Sequence, residues 1–136
     1  KLQESSTKHY IGFFSSLTSA EGAKHISVFV KNKETGKNDL KSSTIKLNET
    51  NLDKKDLNGA SATVAHEFQH AADADDPKKE YFKETESEDA KEFRGEKRYE
   101  DKTHEKRGYE TQSKVRKELK SKDEKEKNED KEENQW

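Results

Sequence analysis

The sequence predicts an α+β domain, with a small β-hairpin or sheet followed by two helices that carry the chemistry. Three stretches support this. Ile26-Ser27-Val28-Phe29-Val30 is a β-branched and aromatic run, and Ser43-Thr44-Ile45-Lys46-Leu47 alternates polar with apolar residues. His66-Glu67-Phe68-Gln69-His70 lies in an alanine-rich stretch of strong helix formers. Residues 103–120 carry one sparse apolar stripe at helical spacing.

Residues 1–10 are polar and uninformative. Ile11 to Leu17 is a short apolar patch that reads as helical, with Leu17 and Ala20 continuing it. The strand at 26–30 runs into a polar, turn-forming stretch from Asn32 to Asn38 that contains Gly36. Residues 43–47 then pair back as a hairpin. A loop from Asn48 to Gly59 leads to the motif helix, about 61–74, which Asp73, Asp75, Asp76 and Pro77 end. Residues 78–104 are densely charged, with Tyr81, Phe82, Phe93 and Tyr99 as isolated anchors. A helix over 103–120 completes a domain of residues 1–120. Residues 121–136 are almost wholly charged or amide, so they cannot bury enough apolar surface to offset ordering; they read as a flexible tail.

The 136 residues are 25% hydrophobic and 43% charged, a thin core for this length. The net charge of −2 balances 28 basic against 30 acidic residues, which gives no field favouring nucleic acid or anionic lipid. No basic stripe is interleaved with aromatics, so no nucleic-acid partner is expected. No apolar run reaches membrane-spanning length and no signal peptide is visible, so no membrane insertion is expected. The chain begins at Lys1 and contains no methionine, which reads as a domain excised from something longer; its localisation stays open. Cysteine is absent, leaving His, Asp and Glu as the good metal donors.

H-E-x-x-H is the most informative feature. Residues i and i+4 of a helix share a face, so His66 and His70 can grip one Zn²⁺ from a rigid element. Glu67 then lies where a carboxylate takes a proton from metal-activated water. A hydrolytic zinc site needs a third protein ligand, and two residues compete. Asp76, six residues after His70, resembles the last position of the metzincin pattern, although Asp73 stands where that pattern has glycine. Glu105 shares a helix face with Gly108, Gln112, Val115 and Leu119, in line with the only apolar stripe of its segment.

The stretches Ser43–Asn48, Ala65–Asp73 and Glu105-x-x-Gly108-Tyr109-x-x-Gln112 together resemble the gluzincin branch of the zincin metallopeptidases. More narrowly, they resemble the small H-E-x-x-H domains of bacterial polymorphic and RHS-type toxins. The resemblance implies a minimal zincin fold and zinc held by His66, His70 and Glu105, with Glu67 as general base in peptide-bond hydrolysis. It also implies a protein or peptide substrate pairing along the Ile45 strand, delivery as an effector domain of a longer bacterial protein, and a partner or immunity protein. Asp73 is a candidate to support a ligand, and Tyr109, His104 and Arg107 to steady the transition state. His9 and His25 read as bystanders. The alternative is a catalytically silent, zinc-stapled protein-interaction module, its charged segments 78–104 and 117–136 binding a partner.

Overall fold

In a computed structural model, residues 7–14 and 21–133 are described, with side chains as far as residue 129. The fold is α+β: a three-stranded open sheet on one side and helices on the other. Strand β1 spans Lys8–Phe14, β2 Ala23–Lys31 and β3 Asn38–Asn48. Helix α1 (Glu49–Asp53) is a single turn; α2 spans Leu57–Asp75, α3 Tyr81–Phe93 and α4 Thr103–Glu133.

The β2–β3 hairpin forms as the alternation predicts, through an Asn32–Lys37 loop. The apolar patch at 11–17 is not a helix over its described part. Ile11 to Phe14 extend β1, which pairs in parallel with β3, Ile11 opposite Ile45. A four-residue run of apolar and glycine residues carries no period to distinguish helix from strand, and a sheet edge needing a partner decided it. Leu17 and Ala20 lie outside the described residues. One consequence is a correction: the sheet order is β1-β3-β2, so the Ile45 strand is central and both of its edges are already paired. No substrate can add to β3; among the described residues, β2 is a free edge beside the helices.

The motif helix starts four residues earlier than the alanine run suggests, because Asp56 caps it by accepting from the Gly59 amide at 2.6 Å. It packs across the sheet and against α4. The charged segment 78–104 hides α3, which serves α4 directly. Glu88 of α3 accepts from the Thr103 amide (2.7 Å) and hydroxyl (2.5 Å), placing a carboxylate at the α4 N-terminus. Helix α4 runs without a break through residue 120 to Glu133, and residues 121–129 are exposed. The buried apolar residues are few, Ala23, Ile45, Ala62, Ala74 and Tyr81, while the buried polar ones include His66, His70, Asp73, Glu88, Lys102 and Glu105. Such an interior holds only if its polar groups are satisfied. No described helix is long and apolar enough to cross a membrane.

Candidate metal centre

One turn of α2 separates His66 from His70, and both rings are buried, 4.7 Å apart between centroids. Donor atoms of His66, Glu67 and His70 lie within 4.8 Å of one another. From α4, Glu105 reaches into the same space. Its Oε2 is 3.0 Å from His66 Nε2 and its Oε1 is 3.0 Å from His70 Nε2. Donors bonded at about 2.0–2.1 Å to one tetrahedral ion stand about 3.3–3.4 Å apart, so these contacts, one of them the hydrogen bond of His66 Nε2 to Glu105 Oε2, need open by only a few tenths of an ångström to admit it. The geometry is therefore that of a zincin-like donor set, His66 and His70 with an acidic third member.

Two further observations fit a metal. His70 is buried, yet neither ring nitrogen has a hydrogen-bond partner; Glu105 Oε1 is close to Nε2 but misdirected for such a bond. A buried imidazole with two unpaired nitrogens is costly unless an ion takes one. The second observation is at Gly108, one turn after Glu105. A Cβ there would stand 2.5 Å from His66 Nε2, so only glycine leaves room for the imidazole.

The tautomer of His66 is set from behind. Its Nδ1 lies 2.8 Å from Gln112 Oε1 and its Nε2 3.0 Å from Glu105 Oε2, so both ring nitrogens face acceptors; a hydrogen donated from Nδ1 to Gln112 is what would leave Nε2 free for an ion. Gln112 stands on the predicted α4 face, but nothing in the sequence distinguishes a supporting amide from a surface one.

Burial pushes the Glu67 carboxyl up to about 7, although the nearby His70 and His66 oppose this. Burial would also raise Glu105, but the close imidazoles of His66 and His70 outweigh it and hold the carboxyl well below its usual range. His66 is disfavoured as a cation by burial, yet its bonds to Glu105 and Gln112 raise it on balance. These are neighbouring groups with opposite fates: one carboxylate stays ionised beside the histidines, and the other is tuned near neutrality.

Asp76 is placed elsewhere. It ends α2, its Oδ1 accepts from the Lys78 amide (3.0 Å), and it lines a different cavity. Chain geometry explains this: the glycine-free turn after α2 continues into a 3₁₀ turn at Pro77–Lys79 instead of folding back. Asp73 is fully buried, but its partners are Gln69, Lys79 and Arg107 rather than a histidine. Arg107 bridges Asp73 (Nε–Oδ2, 2.7 Å) and Glu84 (Nη2–Oε1, 2.6 Å), tying α2, α3 and α4 together and setting the register of Glu105 against the histidines. It is thus a strut and does not line the cleft.

Tyr109 packs edge-on against His66, centroids 4.6 Å apart, and lines the cleft. His104 is buried 5.5 Å from the His70 ring, its Nε2 3.6 Å from Glu105 Oε1, in the same cleft of about 570 Å³. His25, read from sequence as a bystander, is in fact a cleft wall. It lies 6.2 Å from His70 and shares a 2.7 Å hydrogen bond with Ser43 Oγ. Burial, then the His70 and His104 rings, lower its pKa to about 4, so it is neutral. Tyr81 and Tyr99 also line the cleft. A lone histidine in a strand carries no local sign of what faces it, which is why the sequence does not reveal this one.

Glu84, Glu88 and His104 form a second cluster of donor type. Its carboxylates are already engaged, Glu84 by the Arg107 cation and Glu88 by the Lys97 cation and a hydrogen bond from the Thr103 hydroxyl, and so it reads as structural. Comparison of the chain with family models, curated proteins and solved structures gave no match. The class assignment therefore rests on the site: a zincin-like arrangement on a small α+β frame.

Proposed function

We propose that this chain is a zinc-dependent metalloendopeptidase, with His66, His70 and Glu105 as the metal ligands and Glu67 as the general base. The observation that carries the reading is the convergence of both Glu105 oxygens on the two imidazoles of one helix, each at 3.0 Å, beside a carboxyl tuned to about 7. Zinc bound there supplies Lewis acidity, acidifying a water and polarising a peptide carbonyl. The residues do the rest. Glu67 takes the proton of the attacking water and returns it to the departing amine. A cation nearby favours its ionised form, so the base is charged when the site is loaded. His104 and Tyr109, among the donors that line the same cleft, are the ones assigned to the developing oxyanion. Gln112 holds the tautomer of His66, and Asp73 acts through Arg107 on the helix that presents Glu105.

The substrate, a protein or peptide, pairs in extended form with the free edge of β2, whose Ala23, His25 and Ser27 border the cleft. Origin as a delivered toxin domain with a cognate immunity protein rests on the sequence resemblance. In the rival reading, a silent zinc staple, a fourth protein ligand would close the site.

Glu67→Gln tests the assignment. Zinc content should match the parent by elemental analysis, while peptide hydrolysis falls by about 10²–10⁴-fold, the usual worth of a positioned base. Undiminished hydrolysis would remove Glu67 from the mechanism. Glu105→Ala should lose zinc and Asp76→Ala should keep it; the opposite result would transfer the third ligand to Asp76.

A further inference from the structure

A second cavity, of about 400 Å³, opens between the β2–β3 hairpin and the junction of α2 with α3. It meets the metal cleft at Tyr81, which lines both. Its apolar wall is Phe29, Leu40, Tyr81 and Phe82, with the Phe29 ring 5.4 Å from Phe82 and 6.4 Å from Tyr81. A break in register between Val28 and Phe29, where β2 pairs with β3, falls where the strand passes from one cavity to the other. Bulges of this kind re-aim side chains beside functional sites.

The remainder of the lining is charged. Asp39, Asp75, Asp76 and Glu80 face Lys37 and Lys83, an excess of negative charge. Asp76 is occupied in accepting from the Lys78 amide and Asp39 in accepting from Asn32. Asp75 and Glu80 are exposed, and their carboxylates have no hydrogen-bonded or ionic partner among the described residues. Glu80 also holds a left-handed backbone (φ 46°, ψ 48°), a conformation a glutamate adopts at some cost.

An aromatic wall below two unpaired carboxylates suits one kind of side chain. Arginine and lysine lay an apolar stem on such a surface and keep the cationic head at the wet rim. We propose that this cavity is a specificity subsite for a basic residue of the peptide substrate. The proposal rests on the peptidase reading, and it names the substrate class as a chain with arginine or lysine at one fixed distance from the cleaved bond. His25 stands beside His70, and Phe29 is four residues further along β2, about 13 Å of extended strand. The subsite therefore reads the third or fourth residue from that bond.

Binding separates this proposal from the chemistry. Zinc-loaded Glu67→Gln protein would be titrated with extended peptides that differ at one position, scanned along the chain, as Arg, Lys, Leu or Glu. Arg and Lys should bind about tenfold tighter than Glu at a single position, as two partly screened ion pairs allow. Asp75→Asn with Glu80→Gln should erase that preference while leaving the Leu peptide unchanged. Phe29→Ala should weaken Arg, Lys and Leu peptides together. Equal binding of Arg and Glu peptides, a preference for Leu over Arg, or a basic preference that survives the double substitution would each overturn the subsite. If the basic preference holds but the parent hydrolyses no peptide, the subsite stands and the peptidase reading falls.

Discussion

Helix α4 behaves as two different objects along one axis. In its first half, Glu105 and Gly108 are buried against α2 and Gln112 is partly covered. In its second half, residues 120–129 are all exposed, and one described tie to the rest of the protein is the 2.8 Å bond from Asn58 Nδ2 to Asp123 Oδ2. Both halves are helical, for different reasons. The first is helical because tertiary contacts demand it, even with a glycine inside. The second has no packing to demand it and depends on the propensity of its Lys and Glu residues. Substitutions should therefore be felt steeply before residue 112 and hardly at all after 120.

The largest effect is expected at Arg107. Arg107→Ala removes a guanidinium shared by two carboxylates and leaves the fully buried Asp73 with Lys79 and Gln69 alone. Denaturant unfolding should show a loss of about 3 kcal/mol, the lower range for breaking a buried pair. An unchanged midpoint would mean that the three-helix strut does not hold the register.

Gly108→Ala comes next, and is directed at the metal rather than at the fold. The new Cβ must displace His66. Zinc affinity should drop by about 10–100-fold, in the range seen when a ligand's support is disturbed, with about 1–3 kcal/mol of overpacking cost. A competitive chelator titration measures this; parent-like affinity would show that the imidazole has slack.

The Glu88 contact at the α4 N-terminus should appear in acid. Burial would raise this carboxyl, but the Thr103 hydroxyl, Lys97 and the Thr103 amide bring it down to about 2. The folded pKa is thus below the ordinary one, so its stabilisation is complete above about pH 4.5 and is lost as pH falls towards 2. Solvent screening reduces the contribution to about 1–2 kcal/mol. Thermal melts from pH 5 down should be less steeply pH-dependent in Glu88→Gln than in the parent. The smallest effect is expected from Asp123→Asn, within about 0.5 kcal/mol; a larger shift would show that the distal half matters to the fold.

The same contrast explains what could be read from the sequence. The motif helix, the hairpin and the α4 face with Glu105 follow from local periodicity, and the structure forms all three. Strand β1 does not, since its residues show neither period and its conformation is decided by β3. Helix α3 has a charged sequence with only scattered anchors, and its value lies in Glu84 and Glu88 reaching α4. Gln112 is marked by the Glu105-x-x-Gly108-Tyr109-x-x-Gln112 block and Arg107 by its place beside Glu105, whereas His25 is unmarked; what gives all three their roles is what faces them across elements, and single residues carry no trace of that. Asp76 is a candidate by spacing along the chain, and the direction the chain takes after α2 places it at a different cavity.

Gly108 has a practical corollary. A glycine inside a helix is about 1 kcal/mol less favourable than alanine. A screen for hardier variants guided by propensity would select this position early, yet the added methyl meets the His66 imidazole, so overpacking offsets the gain and the donor set is disturbed as well. Helix preference is a misleading guide at one missing methyl group.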